Sequence, residues 1–155
     1  MKNRATLLAA GILSAAALAL GAILPAVAAN DHTLPPTEVS TETNPCTGLP
    51  VTVTEVYETA VFHISTDASG GVHLTGTANG TISTSDGFSG RFTLWFGGKF
   101  GGANGLDQNH FTFSATLHNG TGMTVNVHSS GHFIVKDGVP VKTVENNSAT
   151  CVGKP

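Results

Sequence analysis

The chain has 155 residues, of which 11% are charged and 6% aromatic, with 19 glycines and a net charge of −3 when histidine is neutral. Apart from Lys2 and Arg4, its cations are Arg91, Lys99, Lys136, Lys142 and Lys154, scattered with no cluster. Nucleic acid and anionic membrane both require a concentrated basic patch, so neither is an expected partner.

The first 29 residues have the layout of a secretory signal peptide. Lys2 and Arg4 open it, an uncharged run from Ala5 to Leu24 follows, and Pro25-Ala26-Val27-Ala28-Ala29 supplies the small residues of a cleavage site. The alternative is an uncleaved membrane anchor, since the apolar run is long enough to span. Its abundant Ala and Gly, and the lack of a basic stop-transfer segment, favour cleavage after Ala28 or Ala29. No cysteine precedes that site, which excludes a lipoprotein anchor. The protein is therefore expected to be extracellular. Residues 30–45, with Pro35, Pro36 and Pro45 among Thr, Ser and Glu, read as a poorly ordered linker.

Residues 46–155 form the predicted domain, bracketed by the two cysteines, Cys46 and Cys151. In an exported chain their oxidation is the expected state. A bridge enclosing so long a loop stabilises by on the order of 4–5 kcal/mol in the chain-entropy model, less any native strain. With no C-x-x-C, thioredoxin-like redox chemistry is not expected.

Between the cysteines the apolar pattern has period two throughout. The predicted strands are Leu49–Val56, Thr59–Thr66, Gly71–Ala78, Gly80–Ser85, Phe88–Gly97, Asn109–Leu117, Met123–Ser130, Gly131–Lys136 and Val139–Glu145. Turn chemistry separates most of them: Asp67–Gly71, Ser85-Asp86-Gly87, His118–Gly122 and Lys136-Asp137-Gly138. Strands joined in sequence by short turns form a meander. The predicted fold is an all-β, antiparallel up-and-down β-barrel, with a β-sandwich as the alternative. In such a barrel the first and last strands are neighbours, which the cysteine bracket suits.

Parity sorts the faces. Phe88, Phe92, Leu94 and Phe96 share one side with Phe111, Phe113, Ala115, Leu117, Val125 and Val127. The opposite side carries Arg91 and Trp95, and five histidines: His63, His73, His110, His118 and His128. His132 follows a glycine, which leaves its side open. If 67–71 is a turn, His73 lies opposite His63 or Ser65. These seven polar and aromatic residues are the candidate ligand-binding set: His63, His73, Arg91, Trp95, His110, His118 and His128. Whether they line a cavity or face solvent depends on whether the phenylalanines fill the interior.

Imidazole is a common ligand of zinc, copper and nickel, so a His-rich metal-binding protein is one reading. Yet no strand carries His-x-His and no carboxylate interleaves the set, so neither a metal nor any other cofactor is expected. Acid–base catalysis is another reading, as a barrel enzyme of cyclase or isomerase type using His63, His73 or Arg91. There is no G-x-S-x-G, H-E-x-x-H or triad-like constellation, so catalytic residues are not assignable. The glycine-rich run 97–105 lacks the order of a phosphate loop and reads as a flexible loop or a kinked strand, with Phe100 a candidate contact residue. The sequons at Asn79, Asn119 and Asn146 read as incidental.

The run Asn44-Pro45-Cys46-Thr47-Gly48 after a signal peptide resembles small exported bacterial proteins, especially actinobacterial ones. The match continues through His63-Ile64-Ser65-Thr66-Asp67-Ala68-Ser69-Gly70-Gly71-Val72-His73, about the first third of the domain. The resemblance implies secretion and a β-domain, and brings no established activity. In overall plan the chain also resembles allene oxide cyclase and dirigent-type barrels, which handle apolar small molecules; that likeness transfers no site residue. The expected function is a secreted, non-catalytic module that binds a small apolar ligand or a cell-envelope component.

Overall fold

The computed structural model describes residues 29–101 and 105–153. The predicted signal peptide lies outside the described residues except for Ala29. The described chain is all β. In order the strands are β1 (Ala29–Asp31), β2 (Glu38–Thr43), β3 (Pro50–Thr66), β4 (Val72–Thr84), β5 (Ser89–Phe100), β6 (Leu106–His118), β7 (Thr124–Lys136) and β8 (Val139–Val152). From β3 to β8 each strand pairs antiparallel with the next, the up-and-down order expected of a meander. Among the described residues no helix is long and apolar enough to cross a membrane.

Two features differ from expectation. The stretch 30–45, read as a disordered linker, supplies β2 and most of β1. Both pair with the outer edge of β3, β2 along Pro50–Glu55 and β1 along Phe62–Ile64. An edge strand needs no continuous apolar face, so Glu38–Thr43 carries little hydrophobic signal. The second difference is closure. No ladder joins β8 to β1, β2 or β3 among the described residues, so the sheet is not a hydrogen-bonded barrel. A disulfide spans the gap instead, with Cys46 in the β2–β3 connection and Cys151 in β8 5.1 Å apart at Cα.

The sheet nonetheless curls, because its two ends contribute to one core. Val51 and Val53 of β3 pack in the same cluster as Val125 and Val127 of β7, around the fully buried Phe92 and Phe113. The Phe92 and Phe113 rings stack with centroids 5.5 Å apart, and Tyr57 meets Phe92 edge-on.

The predicted breaks within β3, β4 and β7 fall inside continuous strands. In β3 a bulge at Tyr57/Thr59 absorbs an extra residue, Glu58. In β4 the predicted break adjoins Gly80, where the Phe92 ring and the Val56 carbonyl occupy the space a Cβ would need. The hairpin between β7 and β8 turns at Asp137 and Gly138, both with positive φ, as the Asp-Gly pair predicts. Strand β8 runs seven residues beyond its predicted end. It is exposed on nearly its whole length, so burial imposes no alternation on its Asn146-Asn147-Ser148 segment.

Candidate functional site

The register assigns every candidate residue to a face. Phe62, Phe92, Phe111 and Phe113 lie on the inner side, so the histidine-bearing face is the outer one, turned to solvent. His63, His73, Arg91, Trp95, His110, His118 and His128 all occupy it, and so does His132, opposite His110.

These residues do not converge on a single point. His63 contacts the Asn30 side chain of β1 at 2.6 Å, while His73 contacts Asp67 at 3.2 Å. Ser65 is the residue opposite His73, one of the two predicted registers, and His63 lies diagonally away. Asp67 organises the β3–β4 turn: its Oδ1 accepts from the Ser69 and Gly71 amides, and its Oδ2 pairs with Lys99 at 2.7 Å. The Lys99 ammonium, the Ser69 hydroxyl and the Gly71 amide hold this carboxyl well below the usual carboxylate range. His73 thus belongs to a turn-fastening ion network. Among the described residues no group of three or more His, Cys, Asp or Glu is placed to hold a metal ion.

The other five candidates lie together across β5, β6 and β7. Among them Trp95 is 38% exposed, its ring 4.7 Å from that of His110. The His110 ring is in turn 6.5 Å from His132. Gly97 provides the bare backbone against which the His110 ring rests, since a Cβ there would approach the imidazole to 3.1 Å. The result is an aromatic strip of Trp95, His110 and His132 crossing three strands.

Beside the strip lies an open groove of about 550 Å³, lined by Arg91, Thr93, Ser114, Thr116, His118 and Asn126. Its polar groups form cross-strand pairs: Ser114 with His128 at 3.1 Å, Thr116 with Asn126 at 3.1 Å, and Thr124 with His118 at 2.9 Å. The Arg91 guanidinium donates to Glu58 at 2.8 Å, so the bulge that projects Glu58 neutralises the groove's cation. The rows through this region read Asn79–Thr93–Ser114–His128–Ser148 and Thr77–Trp95–Thr112–Ser130–Asn146. Neither contains a Lys, Arg, Asp or Glu. Chemically the surface offers hydroxyls, amides and imidazoles around one exposed indole. Thr93, Ser114, Thr116 and Asn126 were legible as face members by parity, but nothing in the sequence marks them as groove lining.

The inner side offers little room where it is enclosed near the disulfide. A cavity of about 40 Å³ lies there between the residues following β2 and the sheet, walled by Val51, Val53, Ile82, Phe88, Leu117 and Val125 among others. That is space for one or two waters, too small for an organic ligand. On the same inner side is a residue the sequence reading passed over: Glu55, 5% exposed, alternating with Val53 and Tyr57. Burial, and then the charges of Glu38 and Glu42, push its carboxyl up to about 7.

The disulfide is consistent with an extracellular protein. No protein-family model, curated protein or solved structure matches the chain.

Proposed function

We propose that this is a secreted, non-catalytic module that binds a neutral, polyhydroxylated component of the cell envelope, a glycan, through the outer face of β5–β7. The observation that carries the reading is Trp95, a large indole left 38% exposed in the middle of an uncharged, hydrogen-bonding surface. Indole rings offer an apolar, electron-rich platform suited to the C–H face of a sugar ring, while flanking hydroxyl and amide groups match its hydroxyls. Thr93 and Ser114 in the row next to the ring, and Thr116 and Asn126 one row further, supply such groups, and the pairing of Arg91 with Glu58 leaves the groove without a free charge.

Trp95 is the chain's one tryptophan, so its fluorescence reports directly on this face. The test is co-sedimentation of the mature protein with insoluble polysaccharides (peptidoglycan sacculi, chitin, cellulose), followed by fluorescence titration with soluble fragments of whichever retains it. Retention, an emission shift on titration, and at least a tenfold loss of affinity in Trp95→Ala are the expected results, given ~1.4 kcal/mol per tenfold and the weight aromatic anchors carry in binding. A polysaccharide panel that retains nothing, or one that retains wild type and Trp95→Ala alike, overturns the reading.

A further inference from the structure

The glycan face leaves unused the most unusual ionisable group in the molecule. Glu55 lies on the inner side of β3, 5% exposed, and its Oε2 has no hydrogen-bond partner. Directly opposite it on β2 is a second carboxyl, Glu38, itself half-buried. Glu42 also acts on Glu55 from β2. From β3 the neighbouring titratable group is Tyr57, whose hydroxyl donates to Glu38 at 3.4 Å. From β4 the facing residue is the apolar Ile82. Neither Arg91 nor Lys99 faces it: Arg91 lies on the outer side and pairs with Glu58, and Lys99 lies at the other end of β3 and pairs with Asp67.

A carboxylate in this position would be buried and would confront two like charges across a single ladder. We propose that Glu55 is a proton-operated latch on β2. While it holds its proton the strand stays docked along the start of β3; when the proton leaves to solvent, the strand loosens.

Linkage gives the direction. If β2 lifts away, Glu55 becomes an edge residue in water, without Glu38 and Glu42 beside it, and its carboxyl returns toward the ordinary value of 4.5. The docked state therefore binds the proton more tightly than the lifted one. Docking is strongest below about 4.5 and weakens as pH rises through about 7. Strand β2 is well placed to be the moving part, because β3 is its only ladder partner among the described residues. Its Glu42 and Thr43 also help wall the small cavity over Val51, Val53 and Ile82, so loosening uncovers apolar surface beside the disulfide.

Hydrogen exchange read by mass spectrometry on the intact oxidised protein tests the latch, following the 38–43 segment from pH 5 to pH 8.5 with correction for intrinsic exchange. Wild type should lose protection in that segment by at least about tenfold between pH 5 and pH 7 and level off above that, one unit of coupled pKa shift being tenfold, while β5 and β6 hold theirs. Glu55→Gln should be flat. Glu38→Gln, which keeps the proton site and removes one opposing charge, should move the midpoint to lower pH and serves if Glu55→Gln fails to fold. Parallel loss in wild type and Glu55→Gln, no loss in either, or a Glu38→Gln midpoint that does not move would each overturn the proposal.

Discussion

Removal of the Cys46–Cys151 bridge should cost this protein about as much as truncating one of its buried phenylalanines. The cysteines are 105 residues apart in sequence, and the bridge crosses the one boundary of the curled sheet at which no strand ladder exists among the described residues. For a loop of that length the chain-entropy model gives about 4.7 kcal/mol at 25 °C. In a domain of this size each kcal/mol corresponds to roughly 4 °C, so the melting temperature should fall by about 15–20 °C. Cys46 also packs against the core, so reduced wild type should be compared with the Cys46→Ala/Cys151→Ala double variant to separate cross-link from packing. Calorimetry of the oxidised, reduced and doubly substituted proteins supplies the midpoints. Hydrogen exchange should show β8 losing protection first on reduction, because β7 is its only ladder partner among the described residues. A reduced protein melting within about 3 °C of the oxidised one would refute the reasoning, since the curled sheet would then hold its shape without the bridge.

Two further perturbations follow from the inner face. Gly80→Ala places a methyl group where the Phe92 ring and the Val56 carbonyl already sit, so it should destabilise by more than about 2 kcal/mol in a denaturant titration, the scale of overpacking a dense core. The global pH profile should carry the signature of Glu55. Its carboxyl is raised in the folded state from 4.5 to about 7, so its contribution to stability is full below 4.5 and is lost as pH rises through about 7. The loss amounts to at most about 3 kcal/mol, and Glu55→Gln should abolish this slope in urea titrations at pH 5 and pH 8.

Face assignment was the most legible property of this chain. Alternation in Phe88–Gly97 and Asn109–Leu117 separates core from surface because each strand buries one side only, and the structure places those residues accordingly. The same rule applied to Val51-Thr52-Val53-Thr54-Glu55-Val56-Tyr57 puts Glu55 inside; a carboxyl is simply not expected there. Strand β2 was illegible for a different reason. Its Glu38-Val39-Ser40-Thr41-Glu42-Thr43 pattern is held by backbone pairing to β3, and side-chain hydropathy does not record that. Closure was illegible as well. It depends on the relation of β8 to β1 and β2, and neither alternation nor turn chemistry encodes that long-range contact. The disulfide could be anticipated from compartment and spacing, but not that it stands in place of a ladder.

The distribution of charge bears on what the outer face is for. Soluble sheets commonly keep their exposed sides in solution with interspersed Lys and Glu, and guard their edges with charge and proline. Here the edge strand β8 has that guard in Pro140, Lys142 and Glu145, while the central rows through Trp95 and Ser114 carry none. A surface serving solubility alone has no need of that contrast, whereas one that meets a neutral polymer gains from having no ions to desolvate. The two chemistries separate in salt. Between about 0.1 and 1 M the screening length falls from about 10 to 3 Å, so binding of an anionic polymer through Arg91 should weaken steeply. Binding of a neutral glycan on Trp95 should hold within about twofold over the same range, because the apolar and hydrogen-bonding contacts that sustain it are not screened. An affinity that collapses with salt in the co-sedimentation assay would move the site from the indole to the guanidinium.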